Sequence, residues 1–456
     1  MKDYDLIIIG WGKGGKTLAG EAAARGEKIA MVERSKQMYG GTCINVGCIP
    51  SKFLVAAAND ARRAAPETFE GRAALYQEAI AEKRKLTAAL RQKMYSAIDG
   101  YSNADIYDGV GSLVSRGLVK VACSDGEKTI SGRRIVIDTG SAPVIPSISG
   151  ADSARVHTSE TLMELDELPK RLAIIGGGFI ALEFASIYSG FGSDVTIFQR
   201  GKTFLPDEDA DIALEIAKVL EAGGVKIVAG SAPKGIKTSG DKAVLEYVKD
   251  GVTHEFECDA ILMAAGRRPN TADLNAENAG LALGPDGAVA VDEFLRASAP
   301  NVWVMGDANG GPKFTYVSLD DSRIVGGQIF GKGGNYSTKK RGSVPYSVFV
   351  TPPFSRVGLT EREALNKGCE IKVAKMPAAA IPKAQVMRQT TGLLKAVVDA
   401  KTGMILGASL FCAESHEMIN IIKLAMDFNL PYTVLRDRIY THPTMTETLN
   451  VLFAQV

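Results

Sequence analysis

Net charge of either sign is missing from this sequence. Lys+Arg number 53 and Asp+Glu 52, a formal balance of +1. A nucleic-acid binder normally shows a basic excess or a basic stripe, and an acidic disordered tail shows a run of one sign. Long apolar runs are missing too. The longest early one, Leu6 to Ile9, is far too short to cross a bilayer or to form a signal core. The expectation is a cytoplasmic protein with no nucleic-acid partner and no membrane. Cysteine is scarce: six occur in 456 residues, too few for a disulfide-stapled secreted scaffold. Cys123, Cys258, Cys369 and Cys412 are scattered, whereas Cys43 and Cys48 sit five apart. In a cytoplasmic protein such a pair points to catalysis before structure.

What is present is ample core material. Hydrophobic residues make up 46% and charged residues 23%, and the length suggests about three domains at roughly 150 residues each. The chain opens as strand, glycine-rich turn, helix and strand. Tyr4 to Ile9 is too apolar for a half-exposed strand and reads as a buried parallel one. Gly10-Trp11-Gly12-Lys13-Gly14-Gly15 follows, then an Ala-rich helical stretch from Thr17 to Arg25, then a strand from Lys28 that ends at Glu33. Strand before, helix after and an acid about 20 residues on are the context that makes such a turn a dinucleotide site. The glycines let backbone approach a pyrophosphate, whose charge is stabilised at the helix N-terminus, and Glu33 would accept hydrogen bonds from the adenosine ribose. A glycine-rich turn that binds nothing is the alternative.

The pattern recurs. Arg171 to Ile175 leads into Gly176-Gly177-Gly178-Phe179-Ile180-Ala181, a helix through Tyr188, and a strand from Asp194 ending at Gln199. Gly10 to Glu33 and Gly176 to Gln199 both span 23 residues, a duplicated βαβ unit without the short period of a solenoid. Ala181 fills the third glycine position, which the fingerprint tolerates. The second strand ends in Gln199-Arg200, with Lys202 close by, where an acid would repel a 2′-phosphate and cations would attract one. NADPH, alone or alongside NADH, is therefore expected here; solvated loop charges are the competing reading.

Between the two units Ser51 to Ala65 and Ala73 to Ile98 read as helices. Beyond Ser343 the texture changes. Leu393 to Asp399 and Met404 to Phe411 read as a hairpin. Helices are expected from Ser415 to Phe428 and from Tyr432 to Arg438, which makes the C-terminal part α+β. Gly331 to Gly342 reads as the exposed linker before it.

The segment Gly40-Gly41-Thr42-Cys43-Ile44-Asn45-Val46-Gly47-Cys48-Ile49-Pro50-Ser51-Lys52 carries the most information. On an ideal helix the two cysteine Cα atoms would stand about 7.5 Å apart along the axis, whereas a disulfide wants roughly 4.4 to 6.8 Å. A bridge needs a distorted turn, which Gly47 permits. It would close a tiny loop, add little stability and reduce easily. The spacing matches part of an iron–sulfur pattern, but no third cysteine follows Cys48. Zinc would need more Cys or His nearby. Two unrelated buried thiols are the remaining alternative, against which the flanking glycines and Pro50 argue.

This segment resembles the active site of the pyridine-nucleotide-disulfide oxidoreductases: glutathione reductase, lipoamide dehydrogenase, mercuric reductase and relatives. The resemblance extends over nearly the whole chain. Ile137-Asp138-Thr139-Gly140-Ser141-Ala142-Pro143 and Ala265-Gly266-Arg267-Arg268-Pro269-Asn270 look like the two chain-crossing motifs, Val304-Met305-Gly306-Asp307 like the second flavin motif, and Thr441-His442-Pro443-Thr444-Met445-Thr446-Glu447 like the C-terminal signature.

The resemblance implies an α/β protein with two Rossmann-like dinucleotide-binding domains, for FAD and NAD(P), plus a C-terminal α+β dimerisation domain. Residues 1–146 and 271–342 would form a discontinuous FAD domain, 147–270 the NAD(P) domain and 343–456 the dimerisation domain. FAD would be held by Gly10, Gly12, Gly14, Gly15, Glu33, Thr42, Lys52, Gly140, Gly306 and Asp307, and NADH or NADPH by Gly176, Gly178, Phe179, Ala181, Gln199, Arg200 and Gly266. Lys52 and Glu183 would pair beside flavin N5, and Phe179 would be the aromatic gate that moves aside for the nicotinamide. Cys48 would face the flavin and Cys43 would meet substrate. His442 would be the acid/base, oriented by Glu447 and supplied by the partner subunit, so a homodimer with shared active sites is implied. His157, His254 and His416 lack such context and read as satisfied core histidines.

The chain lacks the C-terminal cysteine pair usual in mercuric reductases and required in high-molecular-weight thioredoxin reductases, ending Leu449-Asn450-Val451-Leu452-Phe453-Ala454-Gln455-Val456. Tyr440 stands where lipoamide dehydrogenases usually carry a second histidine. Tyr316 to Asp321, Pro345 to Phe349 and Ala380 to Ala384 are similar to a bacterial branch associated with resistance to reactive chlorine species. That branch implies an acceptor that is an organic disulfide or a thiophilic ion such as Cu(II) or Hg(II), bound transiently at Cys43 and Cys48, and no resident metal. A dihydrolipoamide dehydrogenase and a flavin redox sensor without turnover are the alternatives; the sensor would not need His442 and Glu447.

Overall fold

The structure, a computed structural model, describes residues 1–331 and 335–456. The chain divides into two compact units, Met1–Phe53 with Ala79–Val144 and Gly266–Arg341, and Leu54–Glu78 with Ile145–Ala265 and Gly342–Val456.

In the first unit Leu6–Ile9 pairs in parallel with Ile29–Glu33 on one side and Ile135–Ile137 on the other, flanked by Ala104–Ser115 and Val302–Val304. Side chains alternate across this sheet. Ile7 and Ile9 pack with Ala30, Val32 and Val304 on one face, and Leu6 and Ile8 with Leu18, Ala22 and Val325 on the other. Every residue of Leu6–Ile9 is buried, which is why the run has no polar alternation. The expected strand from Tyr4 is shorter than the sequence suggests. Asp5 breaks it by accepting a hydrogen bond from Lys28 N at 3.0 Å, and Lys2–Tyr4 pairs separately with Gly126–Gly132. Ala104–Ser115 runs on into an antiparallel meander with Leu118–Cys123 and Gly126–Gly132.

The second unit repeats the parallel theme, in the order Lys226–Ala229, Asp194–Gln199, Arg171–Ile175, Ala260–Met263 and Val156–Thr158. A second meander, Ser231–Ser239, Lys242–Lys249 and Val252–Cys258, lies beside it. The C-terminal part is an antiparallel sheet in the order Tyr346–Val348, Phe354–Gly358, Ile405–Phe411, Leu393–Asp399 and Ile371–Pro377. Helices Ser415–Asp427 and Thr448–Phe453 close its core through Met418, Ile422, Leu449 and Phe453. This is the expected hairpin and α+β texture.

The stretch from Gly331 to Gly342 is less exposed than a linker, apart from Lys332 to Gly334, which lie outside the described residues. Ser337 is buried and donates to Glu293 at 3.1 Å. Arg341 is 12% exposed and paired with Asp320 at 2.8 Å and with Asp321. Its basic residues are structural anchors as well as solvated charges.

Candidate redox site

The duplication seen in sequence is exact in backbone terms at its first glycine. Gly10 has φ +102° and Gly176 φ +120°, and a Cβ at either would stand 2.3 Å from a carbonyl oxygen, that of Asp138 or of Ala264. Each glycine N–H also donates to the next strand, to Val32 O at 2.8 Å and to Phe198 O at 2.9 Å. Only glycine fits such a turn.

Around the first turn Gly14 N donates to Ser318 Oγ at 2.9 Å and Gly15 N to Asp138 Oδ2 at 2.6 Å. Gly12 is equally tight, since a Cβ there would lie 2.4 Å from Asp138 Oδ2. Glu33 ends its strand buried, accepting from Trp11 N at 3.0 Å. Burial pushes its carboxyl up to about 7, against the pull of the hydrogen bonds from Ser35 and Trp11. A cleft opens here, lined by Gly10, Glu33, Gly109, Gly111, Thr139 and Asn270. The Thr139 hydroxyl is buried with no hydrogen-bond partner. Gly140 (φ +70°) and Gly266 (φ +109°) both have open space where a Cβ would point. They flank the two-stranded crossing Ser141–Pro143 with Arg267–Pro269. Asp307, just after Gly306, accepts from Ser141 Oγ at 2.5 Å, and Ser141 is held in turn by Arg267 Nε at 2.9 Å.

The second turn leads into the helix Phe179–Gly190, in which Ala181 is fully buried. Gln199 ends its strand by folding back. Its side-chain amide donates to Gly201 O at 3.1 Å and Thr203 O at 2.6 Å, and its Oε1 is buried without a partner. Arg200 and Lys202 are exposed on the loop so fixed.

The thiols sit where the sequence placed a distortion. Helix Thr42–Asn45 stops, Val46 adopts φ −141°, and a new helix begins at Cys48. A Cβ on Gly47 would meet Thr42 O at 2.9 Å. The break brings Cys43 and Cys48 within hydrogen-bonding contact, Cys43 half-buried and Cys48 exposed. Cys48 Sγ lies 3.5 Å from Thr315 Oγ1. The Cys43 thiol is pushed up chiefly by its hydrogen bond with Cys48 and then by burial, while Thr315 and Lys16 pull it down. Burial pushes the Lys16 ammonium down to about 8, with Lys13 adding to it and Cys43 opposing; its Nζ donates to Gly40 O at 2.9 Å. In the same helix as Cys48, Lys52 Nζ donates to Ser51 Oγ at 3.3 Å.

In the second unit His442 Nδ1 stands 2.8 and 3.1 Å from the two oxygens of Glu447. Thr444 fixes that carboxylate, its N–H donating to Oε1 at 3.0 Å while its hydroxyl accepts from Glu447 N at 3.2 Å. The bond from His442 holds the Glu447 carboxyl below its ordinary value. Glu183, buried in its helix, accepts from Phe349 N at 2.9 Å. Phe179 stacks on Tyr346, centroids 5.0 Å apart. The other histidines are not satisfied core residues: His254 is exposed, His157 is half-buried and His416 Nδ1 is buried without a partner.

Asp138, Thr315, Lys16 and Tyr346 were not among the residues singled out for the site. Asp138 carried a signal, an acid directly after the apolar run Ile135 to Ile137. Lys16 lay in plain view inside the first glycine-turn helix, and Tyr346 in the stretch Pro345 to Phe349 quoted for the resemblance; Thr315 had no local pattern to mark it.

A chain that builds one nucleotide-holding turn twice and places its close thiol pair on a helix break belongs among the dinucleotide-dependent thiol oxidoreductases. Residues 4–322 match the family described as pyridine nucleotide-disulphide oxidoreductase, and residues 344–452 match its dimerisation domain. The chain belongs to this family. It is 45% identical, over the whole of both chains, to the probable pyridine nucleotide-disulfide oxidoreductase RclA of Escherichia coli K12. It is 34% identical to a mercuric reductase of Lysinibacillus sphaericus, across 98% of this chain and 82% of that one. A dihydrolipoyl dehydrogenase of Geobacillus stearothermophilus is 30% identical, across 98% and 94%. Among solved structures, the Cu(II) complex of HOCl-induced flavoprotein disulfide reductase RclA from E. coli superposes with a TM-score of 0.93 over all of both chains at 45% identity.

The protein is thus an FAD- and NAD(P)H-dependent oxidoreductase with a dimerisation domain. The first turn fits FAD on its own geometry: a cradle that tolerates only glycine, a buried carboxylate at the strand end, and the unpartnered Thr139 hydroxyl in the cleft. The second turn fits a nicotinamide dinucleotide by the same backbone. Among the described residues no helix is long and apolar enough to cross a membrane.

Proposed function

We propose that this protein moves electrons from NAD(P)H through Cys48 and Cys43 to a thiophilic metal ion, Cu(II) first and Hg(II) second, or to an organic disulfide, as a cytoplasmic defence against reactive chlorine or oxidative stress. The observation that carries it is the close thiol pair on the broken helix, beside Thr315. The full-length likeness to a reductase described as HOCl-induced and crystallised with Cu(II) supports the choice of acceptor. Bound FAD would supply hydride acceptance from NAD(P)H and two-electron transfer to a disulfide.

The chain's own residues then do the following. Cys48 would face the flavin and Cys43 would meet the acceptor; this assignment rests on the family pattern. Reduction of the pair breaks one S–S bond, and two electrons with one proton leave one thiol and one thiolate. Thr315 donates to sulfur, and Lys16 favours the thiolate at Cys43. The partner subunit's His442, oriented by Glu447, moves the proton at Cys43 Sγ. With copper, the thiol–thiolate pair loses two electrons and one proton, closes its disulfide and converts two Cu(II) to two Cu(I). Soft thiolates suit this ion. Residues 1–146 with 271–342 serve FAD, 147–270 the coenzyme and 343–456 the dimer.

Arg200 and Lys202 stand exposed on the loop that Gln199 clamps, with no carboxylate at the strand end. This supports use of NADPH, with Arg200 and Lys202 taking the 2′-phosphate. The lipoamide reading loses support at Tyr440, whose hydroxyl donates to Leu435 O at 3.2 Å and so offers no second acid/base. Turnover of Cu(II), Hg(II), glutathione disulfide and lipoamide, each with NADH and NADPH, tests the proposal. Fast Cu(II) or Hg(II) turnover is expected; high lipoamide turnover would overturn the ranking, and a strong preference for NADH would sink the 2′-phosphate assignment.

A further inference from the structure

Phe179 is the first residue of its helix, directly after an exposed glycine whose Cβ position has nothing within 4 Å. Its ring lies on that of Tyr346, centroids 5.0 Å apart and planes at 29°. The two differ sharply in how they are held. The Tyr346 hydroxyl donates to Glu208, whose side chain is 1% exposed and whose other oxygen pairs with Arg356 at 3.3 Å. Arg356 is itself 10% exposed and tied down, donating to Asp207 O at 2.9 Å and pairing with Glu363 at 2.5 Å. Phe354 meets Tyr346 edge-on, at 6.2 Å and 74°. Tyr346 is therefore a wall fastened to a buried charged network, and Phe179 is the ring of the pair that can leave.

We propose that Tyr346 is a positioning residue, a latch that holds Phe179 in its resting orientation and so sets how readily the nicotinamide is admitted. The proposal rests on the reading of Phe179 as the gate. If only the fraction of molecules with Phe179 displaced takes up the nicotinamide productively, the apparent Kd equals the intrinsic Kd divided by that fraction. A stacked aromatic pair lowers the fraction by about two- to tenfold. The network makes the latch effective, because a ring already immobilised loses no further freedom when it stacks.

The test follows flavin reduction in the FAD-loaded dimer by anaerobic stopped flow, across concentrations of NADH and of NADPH. The variants are Phe179→Ala, Tyr346→Leu, Tyr346→Phe and the double variant Phe179→Ala/Tyr346→Leu. Phe179→Ala and Tyr346→Leu should each lower the apparent Kd by about two- to tenfold. The double variant should match Phe179→Ala, because a latch has nothing to hold once the gate is gone. Tyr346→Phe keeps the ring without its anchor and should show a smaller shift of the same sign. If Phe179→Ala lowers the Kd while Tyr346→Leu does not, or if the two effects add, the latch is refuted and the gate survives. An unchanged Kd in Phe179→Ala refutes the gate itself, and the latch with it. Should Tyr346→Leu lose FAD or melt early, Tyr346→Phe decides alone, and a wild-type Kd there overturns the proposal.

Discussion

At Gly47 a single hydrogen atom is all the space allows, because a methyl group would press on Thr42 O at 2.9 Å. The helix break, and with it the approach of Cys43 to Cys48, depends on that room. Gly47→Ala should cut turnover by about tenfold or more through misplaced sulfurs, with FAD content unchanged; steady-state kinetics beside the flavin spectrum checks this. Cys48→Ser should abolish the thiolate-to-flavin charge-transfer band that anaerobic titration with NADPH is expected to produce; survival of the band would break the assigned order of the thiols. Glu447 holds both His442 Nδ1 and Thr444 N. Glu447→Gln should therefore lower kcat by about 10- to 100-fold with little change in the apparent Kd for NAD(P)H, and a change confined to coenzyme binding would contradict the acid/base role.

Between residues and modules, the elements differ in how openly the sequence declares them. Leu6–Ile9 and Arg171–Ile175 are buried on both faces, so their composition alone marks them as central parallel strands. The meander strands Gly126–Gly132 and Val252–Cys258 are largely exposed, mixing Lys, Glu, Ser and Thr with few apolar residues, and their pattern does not announce itself. The thiol segment was legible because glycine, proline and paired cysteines fall together in one short stretch. The Phe179–Tyr346 stack joins residues far apart in sequence, and no local periodicity encodes it. Asp138 lies between these cases. It is 3% exposed beneath the first glycine turn, and burial pushes its carboxyl from 3.8 up to about 8 despite the bond from Gly15. The folded protein then keeps a proton that the unfolded chain releases, so this group's contribution to stability falls as pH rises through that interval. Asp138→Asn, which can still accept from Gly15 N, should gain on the wild type in melting temperature from pH about 4 to about 8 and level off above. A gap independent of pH would mean that Asp138 titrates normally.

For the whole molecule, the active site proposed to be shared between subunits would make a quantitative demand. Mixing Cys43→Ser with His442→Ala subunits gives dimers of which half are mixed, each with one intact site of two. Activity should return to about a quarter of wild type, measured after subunit exchange; no recovery would mean that each chain completes its own site. The second unit carries a different demand. Lys395 is 2% exposed and meets Asp209 at 2.9 Å, Asp211 at 3.2 Å and Glu361 at 2.6 Å, while Arg356 reaches back to Glu208. Both cations stand on the C-terminal sheet, and Asp209, Asp211 and Glu208 belong to the stretch that leads into the helix Ala210–Ala222. Without acids at 208, 209 and 211, Lys395 would keep only Glu361 and Arg356 only Glu363, so the loss is a part of the about 3–5 kcal/mol that a fully unpartnered buried charge costs. The coenzyme module is consequently not a cassette that protein engineers could trade with a relative to change NADPH for NADH. A transplant ending at residue 265 would fold well only if the donor brings acids to positions 208, 209 and 211, or if Arg356 and Lys395 travel with it.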